Sequence, residues 1–245
     1  MKLTEGLWVI GGGGAGFGLT NPFDCNVYLV KGNGGYVLID CGCGLEAHRV
    51  KDRLLDSGFR PKDCRAILLT HAHADHAGGA AGLAAYTGSL VYALAETASY
   101  VSEANREAIS LPQAIKAGVY PADYVFSGCP VNPASDGEVL EAAGLEFRAI
   151  ATPGHCSGHC AWLTELAGVR YLFSGDLIFP GGAISLQPLW DCSPLAYSKS
   201  VEKLMNVDFE ALIPSHHGVM LKDGKEAVRR AHACFEKLVM PPGPV

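Results

Sequence analysis

Several side chains able to bind a metal ion fall within one short run of this sequence, Thr70-His71-Ala72-His73-Ala74-Asp75-His76. Imidazole nitrogens and carboxylate oxygens are ligands that suit zinc, and also iron and manganese. The alanines between them leave the backbone free to fold around an ion. The run follows Ala66-Ile67-Leu68-Leu69, a fully apolar stretch that reads as a buried strand. A loop leaving the carboxyl end of a strand is where a rigid scaffold aims side chains inward. A surface turn rich in histidine is the plain alternative, and so many potential ligands in so short a run argue against it. Three further sites also follow apolar strands: His155 in Thr152-Pro153-Gly154-His155, Asp176 in Ser174-Gly175-Asp176, and the pair His216-His217 in Pro214-Ser215-His216-His217-Gly218. Each alone would read as an ordinary loop residue.

Two other patterns invite chemistry and carry less. Gly11-Gly12-Gly13-Gly14-Ala15-Gly16 fits the glycine spacing of a dinucleotide-binding turn. That motif must open a helix whose N-terminus holds the pyrophosphate. Here Phe17-Gly18-Leu19-Thr20-Asn21-Pro22 follows, which is turn chemistry. The expectation is a flexible glycine turn near the rim of a pocket. The nine cysteines are odd in number, and neither Cys41-Gly42-Cys43 nor Cys156 with Cys160 has the spacing of a zinc pair. They read as reduced, buried small side chains.

The elements that must position these residues are short strands and helices in alternation. Residues 6–10 form a strand candidate. Residues 26–30 and 36–40 flank an Asn33-Gly34 turn and read as a hairpin. A helix is expected over 45–55, stopping near Gly58, then the strand at 66–69, a small-residue helix over 78–86 and a strand at 90–94. The second half runs strand 145–152, hairpin 160–166 with 169–174, helix 195–205, strand 211–213 and helix 224–239. Both halves therefore run hairpin, strand, ligand loop, helix, which suggests two sheets packed face to face with helices outside. Between them, residues 96–135 mix a helical stretch (96–110) with Gly118, Pro121, Gly128, Pro130 and Pro133 and read as an inserted cap or lid on a single domain spanning 1–245.

With 245 residues, 49% of them hydrophobic and 18% charged, the chain suits one large, well-filled α/β domain. A net charge of −6 and the lack of a basic patch speak against nucleic acid and anionic membranes as partners. No apolar run nears the roughly 18 residues of a membrane span. Glu5 and the glycines after Ile10 interrupt any signal-like segment, so a cytoplasmic protein is expected.

Taken together, these segments resemble the metallo-β-lactamase fold superfamily from Asn26 to about Gly218. HxHxDH is the most specific motif; Leu38-Ile39-Asp40-Cys41-Gly42, Thr152-Pro153-Gly154-His155, Ser174-Gly175-Asp176 and Pro214-Ser215-His216 are its companions. The resemblance implies an αβ/βα four-layer sandwich of two mixed β-sheets with helices outside. It implies His71, His73 and His155 as ligands of a first metal and Asp75, His76 and His216 as ligands of a second. Asp176 would bridge the two, and Asp40 would be the buried aspartate that steadies the metal loop. Aligning on Pro-x-His selects His216, whereas aligning on His-Gly selects His217. His216 keeps the distance from the preceding strand and is preferred. His159 has no matching role and reads as a neighbour.

Such a set would hold two divalent ions, zinc first, with iron and manganese open. Two cations about 3.5–4 Å apart lower the pKa of a shared water from about 15.7 towards about 7, giving a hydroxide that attacks a polarised carbonyl or phosphorus. Asp75 is then the catalytic carboxylate, orienting the nucleophile and moving its proton to the leaving group. The expected function is hydrolysis of an ester-like carbonyl in a small molecule: a lactone, thioester or β-lactam. Phe179 departs from the tyrosine of similar lactonases, and Ala183-Ile184-Ser185-Leu186 departs from the arginine-containing stretch of glyoxalase II. Similar β-lactamases are usually exported. The alternatives are a non-hydrolytic iron enzyme resembling persulfide dioxygenases, a phosphodiester hydrolase, or a binding protein that kept the scaffold. The resemblance makes a homodimer the expected assembly. Tyr100, Tyr120, Tyr124, Phe126 and Trp190 are candidate walls of a substrate pocket.

Overall fold

A computed structural model describes residues 1–244 of the chain. The first sheet has seven strands in sequence order: β1 (Lys2–Thr4), β2 (Leu7–Gly11), β3 (Val27–Gly32), β4 (Gly35–Ile39), β5 (Cys64–Leu68), β6 (Leu90–Leu94) and β7 (Val131–Ala134). Pairing is antiparallel as far as β4 and parallel from there. The second sheet comprises β8 (Val139–Ala142), β9 (Leu145–Ala151), β10 (Cys160–Leu166), β11 (Val169–Gly175) and β12 (Ala211–Pro214), in the order β12-β11-β10-β9-β8. Here only β11 and β12 run parallel. The helices are α1 (Ala47–Asp56), α2 (Ala74–Ala77), α3 (Ala80–Thr87), α4 (Ala95–Ser102), α5 (Leu111–Lys116), α6 (Pro194–Met205) and α7 (Lys225–Glu236). This is the expected sandwich of two mixed sheets.

The continuous apolar runs follow from burial on both faces. In β3 and β4, Tyr28, Val30, Val37 and Ile39 face the second sheet, where they join Phe147, Trp162 and Phe173 in one core. Their alternates Val27, Leu29, Tyr36 and Leu38 pack outward with Val50 and Leu54 of α1 and Leu83 of α3. The second sheet turns Ile150, Ala161 and Leu172 outward onto Tyr197, Val201 and Leu204 of α6 and Val228 of α7. Turn and cap chemistry agree. Gly32 pairs with Gly35 across the Asn33-Gly34 loop. The Ser193 side chain accepts from the Ala196 amide at the start of α6, with Pro194 in the first turn. Trp162 couples the sheets next to the 70–76 run: it is fully buried and its indole N–H donates to the Leu69 carbonyl at 2.9 Å.

The structure differs from the sequence reading in five places. Short strands β1 and β8 have half-exposed, partly charged sequences that carry no strand signal. α7 ends at Glu236, short of residue 239. The helical stretch read over 96–110 breaks after Ser102 and gives way to turns until α5 begins at Leu111. The segment 96–135 closes with β7, which is a strand of the main sheet paired to β6. The 70–76 run is not all loop: Asp75 and His76 lie on the single turn of α2. Among the described residues no helix is long and apolar enough to cross a membrane.

Candidate metal centre

Strands β4, β5, β9, β11 and β12 all end at the same edge of the sandwich. β4 is parallel to β5 and β11 to β12, and β9 is antiparallel to β10, which is antiparallel to β11. Asp40, the 70–76 run, His155, Asp176 and His216 each follow one of those strand ends. One edge therefore gathers side chains that are far apart in sequence.

They meet in two groups. His71 Nε2 lies 3.1 Å from His73 Nδ1, and His155 Nε2 lies 3.0 Å from the same atom. His76 Nε2 lies 3.3 Å from His216 Nε2. Asp75 Oδ2 stands 3.4 Å from the first of these and 3.1 Å from the second. Asp176 sits between the groups, with Oδ1 3.7 Å from His76 Nε2, and Oδ2 3.7 Å from His155 Nε2 and 3.4 Å from His216 Nε2. All seven residues named from the sequence are thus brought together. His217 is not: the left-handed backbone at that residue (φ 58°) turns its ring onto Phe179, and its amide donates to the Ala15 carbonyl in the glycine turn.

The distal ring nitrogens of His71, His76 and His155 are held by neighbours. The Thr70 hydroxyl donates to Asp40 and lies 3.0 Å from His71 Nδ1, from which it accepts. His76 Nδ1 donates to Asp40 Oδ2 at 2.9 Å, and His155 Nδ1 to the Ser185 carbonyl at 2.9 Å. Such outer bonds fix tautomer and ring direction and leave the other nitrogen free to ligate. Asp40 is the hub. Its buried carboxylate also accepts from the Thr70 amide at 2.8 Å and the Ser215 hydroxyl at 2.9 Å.

Charge follows from this crowding. Burial pushes Asp75 up, but the imidazoles of His76 and His216 outweigh it and hold the carboxyl well below its usual range. Asp176 is likewise lowered, with His216 and His76 overcoming burial. His73 is driven down to about 3 by burial and by His155. Burial lowers His76 as well, yet the carboxylates of Asp75, Asp176 and Asp40 around it raise it well above the ordinary value.

A metal pair fits this donor set. Ligand atoms of a tetrahedral site with bonds of about 2.0–2.1 Å stand roughly 3.3 Å apart, close to the spacing within each group. Asp176 Oδ1 is buried with no hydrogen-bond partner. Ion pairs of Asp40, Asp75 and Asp176 among the described residues all run to histidines, with no lysine or arginine to neutralise them.

Three neighbours carry roles that spacing alone did not reveal. His159 is fully buried; its Nε2 accepts from the Asp176 amide at 3.1 Å and its Nδ1 faces the Thr152 hydroxyl at 2.9 Å. Gly175 has φ 53°, and a Cβ there would lie 2.5 Å from His159 Nε2, so the approach requires glycine. Tyr120 donates its hydroxyl to Asp75 Oδ1 at 3.2 Å. Its presence in an aromatic-rich segment was the available signal, and only the fold selects it. Tyr124 stacks on Tyr120 and donates to the Cys43 carbonyl, while Tyr100 and Phe126 pack into the outer core. Cys156 lies beside His71 and His73, and Cys25 beside His76. Burial pushes the Cys25 thiol up to about 12 and raises Cys156 well above its usual value, so both are protonated small side chains. All nine cysteines are free.

Comparison with known proteins identifies the family and the fold. The profile of the family described as the metallo-beta-lactamase superfamily matches residues 20–216. A probable metallo-hydrolase of Bacillus subtilis, YqgX, is 26% identical over 80% of this chain and 86% of its own length. A hydroxyacylglutathione hydrolase of Serratia proteamaculans is 32% identical over 65% of this chain, which spans about half (49%) of that enzyme. A metallo-beta-lactamase of Cronobacter sakazakii with a HARLDQ motif superimposes with a TM-score of 0.74 and 25% identity, covering 97% of this chain and 96% of that one.

Proposed function

The chain belongs to the metallo-beta-lactamase superfamily, and from that premise we propose that it is a hydrolase that holds two divalent metal ions and cleaves an ester-like carbonyl. The observation that carries this reading is the pair of converging donor groups with Asp176 facing both. His71, His73 and His155 would hold one ion, and Asp75, His76 and His216 the other. Asp176 would bridge them. Zinc suits this all-imidazole and carboxylate set best, and iron or manganese are the competing ions. The ions would supply Lewis acidity, turning water into a nucleophile near neutral pH and polarising the carbonyl oxygen.

The chain's own residues supply the rest. Asp75 stands where the donor cage meets an open pocket, and it takes the proton from the attacking water and passes it to the leaving group. Tyr120 fixes the rotamer of that carboxylate through Oδ1. His159 and Gly175 set the position of Asp176 through its amide. The segment from residue 96 to about 130 forms the outer wall of the pocket and acts as its cap.

Metal analysis beside a panel of lactone, thioester, β-lactam and phosphodiester substrates tests the proposal. The expected outcome is two zinc ions per chain, loss of hydrolysis in chelator and recovery with added Zn²⁺. Activity that persists in metal-free protein overturns it, and a single iron with no hydrolysis of any panel member points instead to the iron-enzyme alternative. Replacing Tyr120 by Phe is expected to lower kcat about tenfold, the scale of one hydrogen bond to a charged group, with metal content unchanged. Steady-state kinetics on the substrate found by the panel, with metal analysis of the same sample, read this out.

A further inference from the structure

The donor cage opens into a cavity of about 370 Å³ that reaches from His73 and Asp75 outward to α5 and the 187–189 segment. That volume lies within the roughly 300–1,000 Å³ of small-molecule pockets. Its walls are apolar: Ile109, Leu111, Ala114, Ala117, Val119 and Leu189. No lysine or arginine lines it. At the inner end Tyr120 donates its hydroxyl to Asp75 Oδ1. The polar side chains further out, Ser110, Gln113 and Gln187, are of uncharged types. Gln113 and Gln187 are exposed at the mouth, and Ser110 lies in the wall with a left-handed backbone (φ 55°). Trp190 donates its indole N–H to the Ala108 carbonyl at 3.2 Å, tying the 187–190 wall to the wall at 108–111.

We infer that this pocket receives the uncharged, apolar acyl arm of an ester or thioester substrate, with the scissile carbonyl at the Asp75 end; the inference rests on the hydrolase reading above. An arm ending in a carboxylate would leave water to meet apolar walls that offer no lysine or arginine to pair with it. That sets this site apart from one built for substrates that carry carboxylates. In the reaction the water oxygen bonds to the acyl carbon and the acyl C–O or C–S bond breaks. The proton taken up by Asp75 leaves on the departing oxygen or sulfur, and no redox partner is required.

The test uses the metal-loaded full chain and para-nitrophenyl acetate, butyrate, octanoate and the mono-ester of succinate. At about fourfold per buried methylene, kcat/KM is expected to rise at least about 100-fold from acetate to octanoate. Succinate should fall well below butyrate. In Ala117→Trp, which fills the cavity from its surface side, the octanoate-to-acetate ratio should drop at least about tenfold, the scale of one or two lost methylene contacts. In Gln113→Lys, which adds a cation at the mouth, the succinate-to-butyrate ratio should rise about tenfold. Because each variant is read as a ratio on one sample, partial misfolding cannot imitate the result. Calorimetric binding of octanamide and of succinamate gives a readout that needs no turnover, with octanamide expected to bind more tightly. Octanamide binding without hydrolysis of any ester would overturn the hydrolase reading and leave the pocket assignment standing. Hydrolysis indifferent to chain length, or a preference for succinate, overturns the pocket assignment alone.

Discussion

Asp75→Asn is expected to lower turnover by about a thousandfold while the protein stays folded, because a positioned proton-transferring group contributes on the order of 10²–10⁴ in rate. Asparagine keeps the shape of the side chain and the oxygen that faces His216 and His76. It loses the charge and the basic oxygen that Tyr120 holds at 3.2 Å. Because Asp75 is also a proposed ligand, metal content and rate must be read on the same sample, at Zn²⁺ concentrations that saturate the site. A variant that holds both ions and still turns over within tenfold of the parent removes Asp75 from the proton path. Combining Asp75→Asn with Tyr120→Phe provides a second check. If the phenol acts only by orienting the carboxylate, its loss costs little once the carboxylate is gone, so the two effects do not add.

The second large effect is expected at Asp40, which touches no substrate. Asp40→Ala leaves the Thr70 amide and hydroxyl, the Ser215 hydroxyl and His76 Nδ1 without their partner, all buried at one edge of the sandwich. Abandoning a buried hydrogen-bonded charge network costs about 3–5 kcal/mol. For a chain of this size that is a fall in melting temperature of roughly 10 °C. Asp40→Asn keeps the volume and folds more readily, but its amide N–H₂ meets donors on one side. Weakening of metal affinity by about 10–100-fold, the usual effect of losing an outer partner of a ligating histidine, is the measurement to make on it. A melting temperature within about 2 °C of the parent in Asp40→Ala, together with unchanged zinc affinity in Asp40→Asn, would show that the network is dispensable.

Much of the fold was legible because its signals are local. Residues 27–32 and 35–39 declare a hairpin through an Asn-Gly turn, and β5 and β9–β11 carry apolar runs too short for helices. β1 and β8 were not legible, because pairing with a neighbouring strand, not their own composition, makes them strands. The end of the inserted segment was misplaced for the same reason: β7 contains Pro133, a residue tolerated there because the strand lies at the sheet edge.

At the site, the sequence by itself determined the candidate donor types and their order, since His71, His73, Asp75 and His76 are close enough in the chain for spacing to be informative. Tertiary structure alone sets His216, and not His217, beside Asp75 and His76, by turning the backbone to a positive φ at His217 and anchoring its amide to Ala15. It alone brought Tyr120 to Asp75 and His159 to the Asp176 amide, and only it lined the adjoining cavity with apolar side chains. The physical reason is one of range. Metal ligation by neighbouring residues is written in local spacing, whereas hydrogen bonds between residues 45 apart, and the shape of a cavity, exist only once the packed sheets fix where each strand ends.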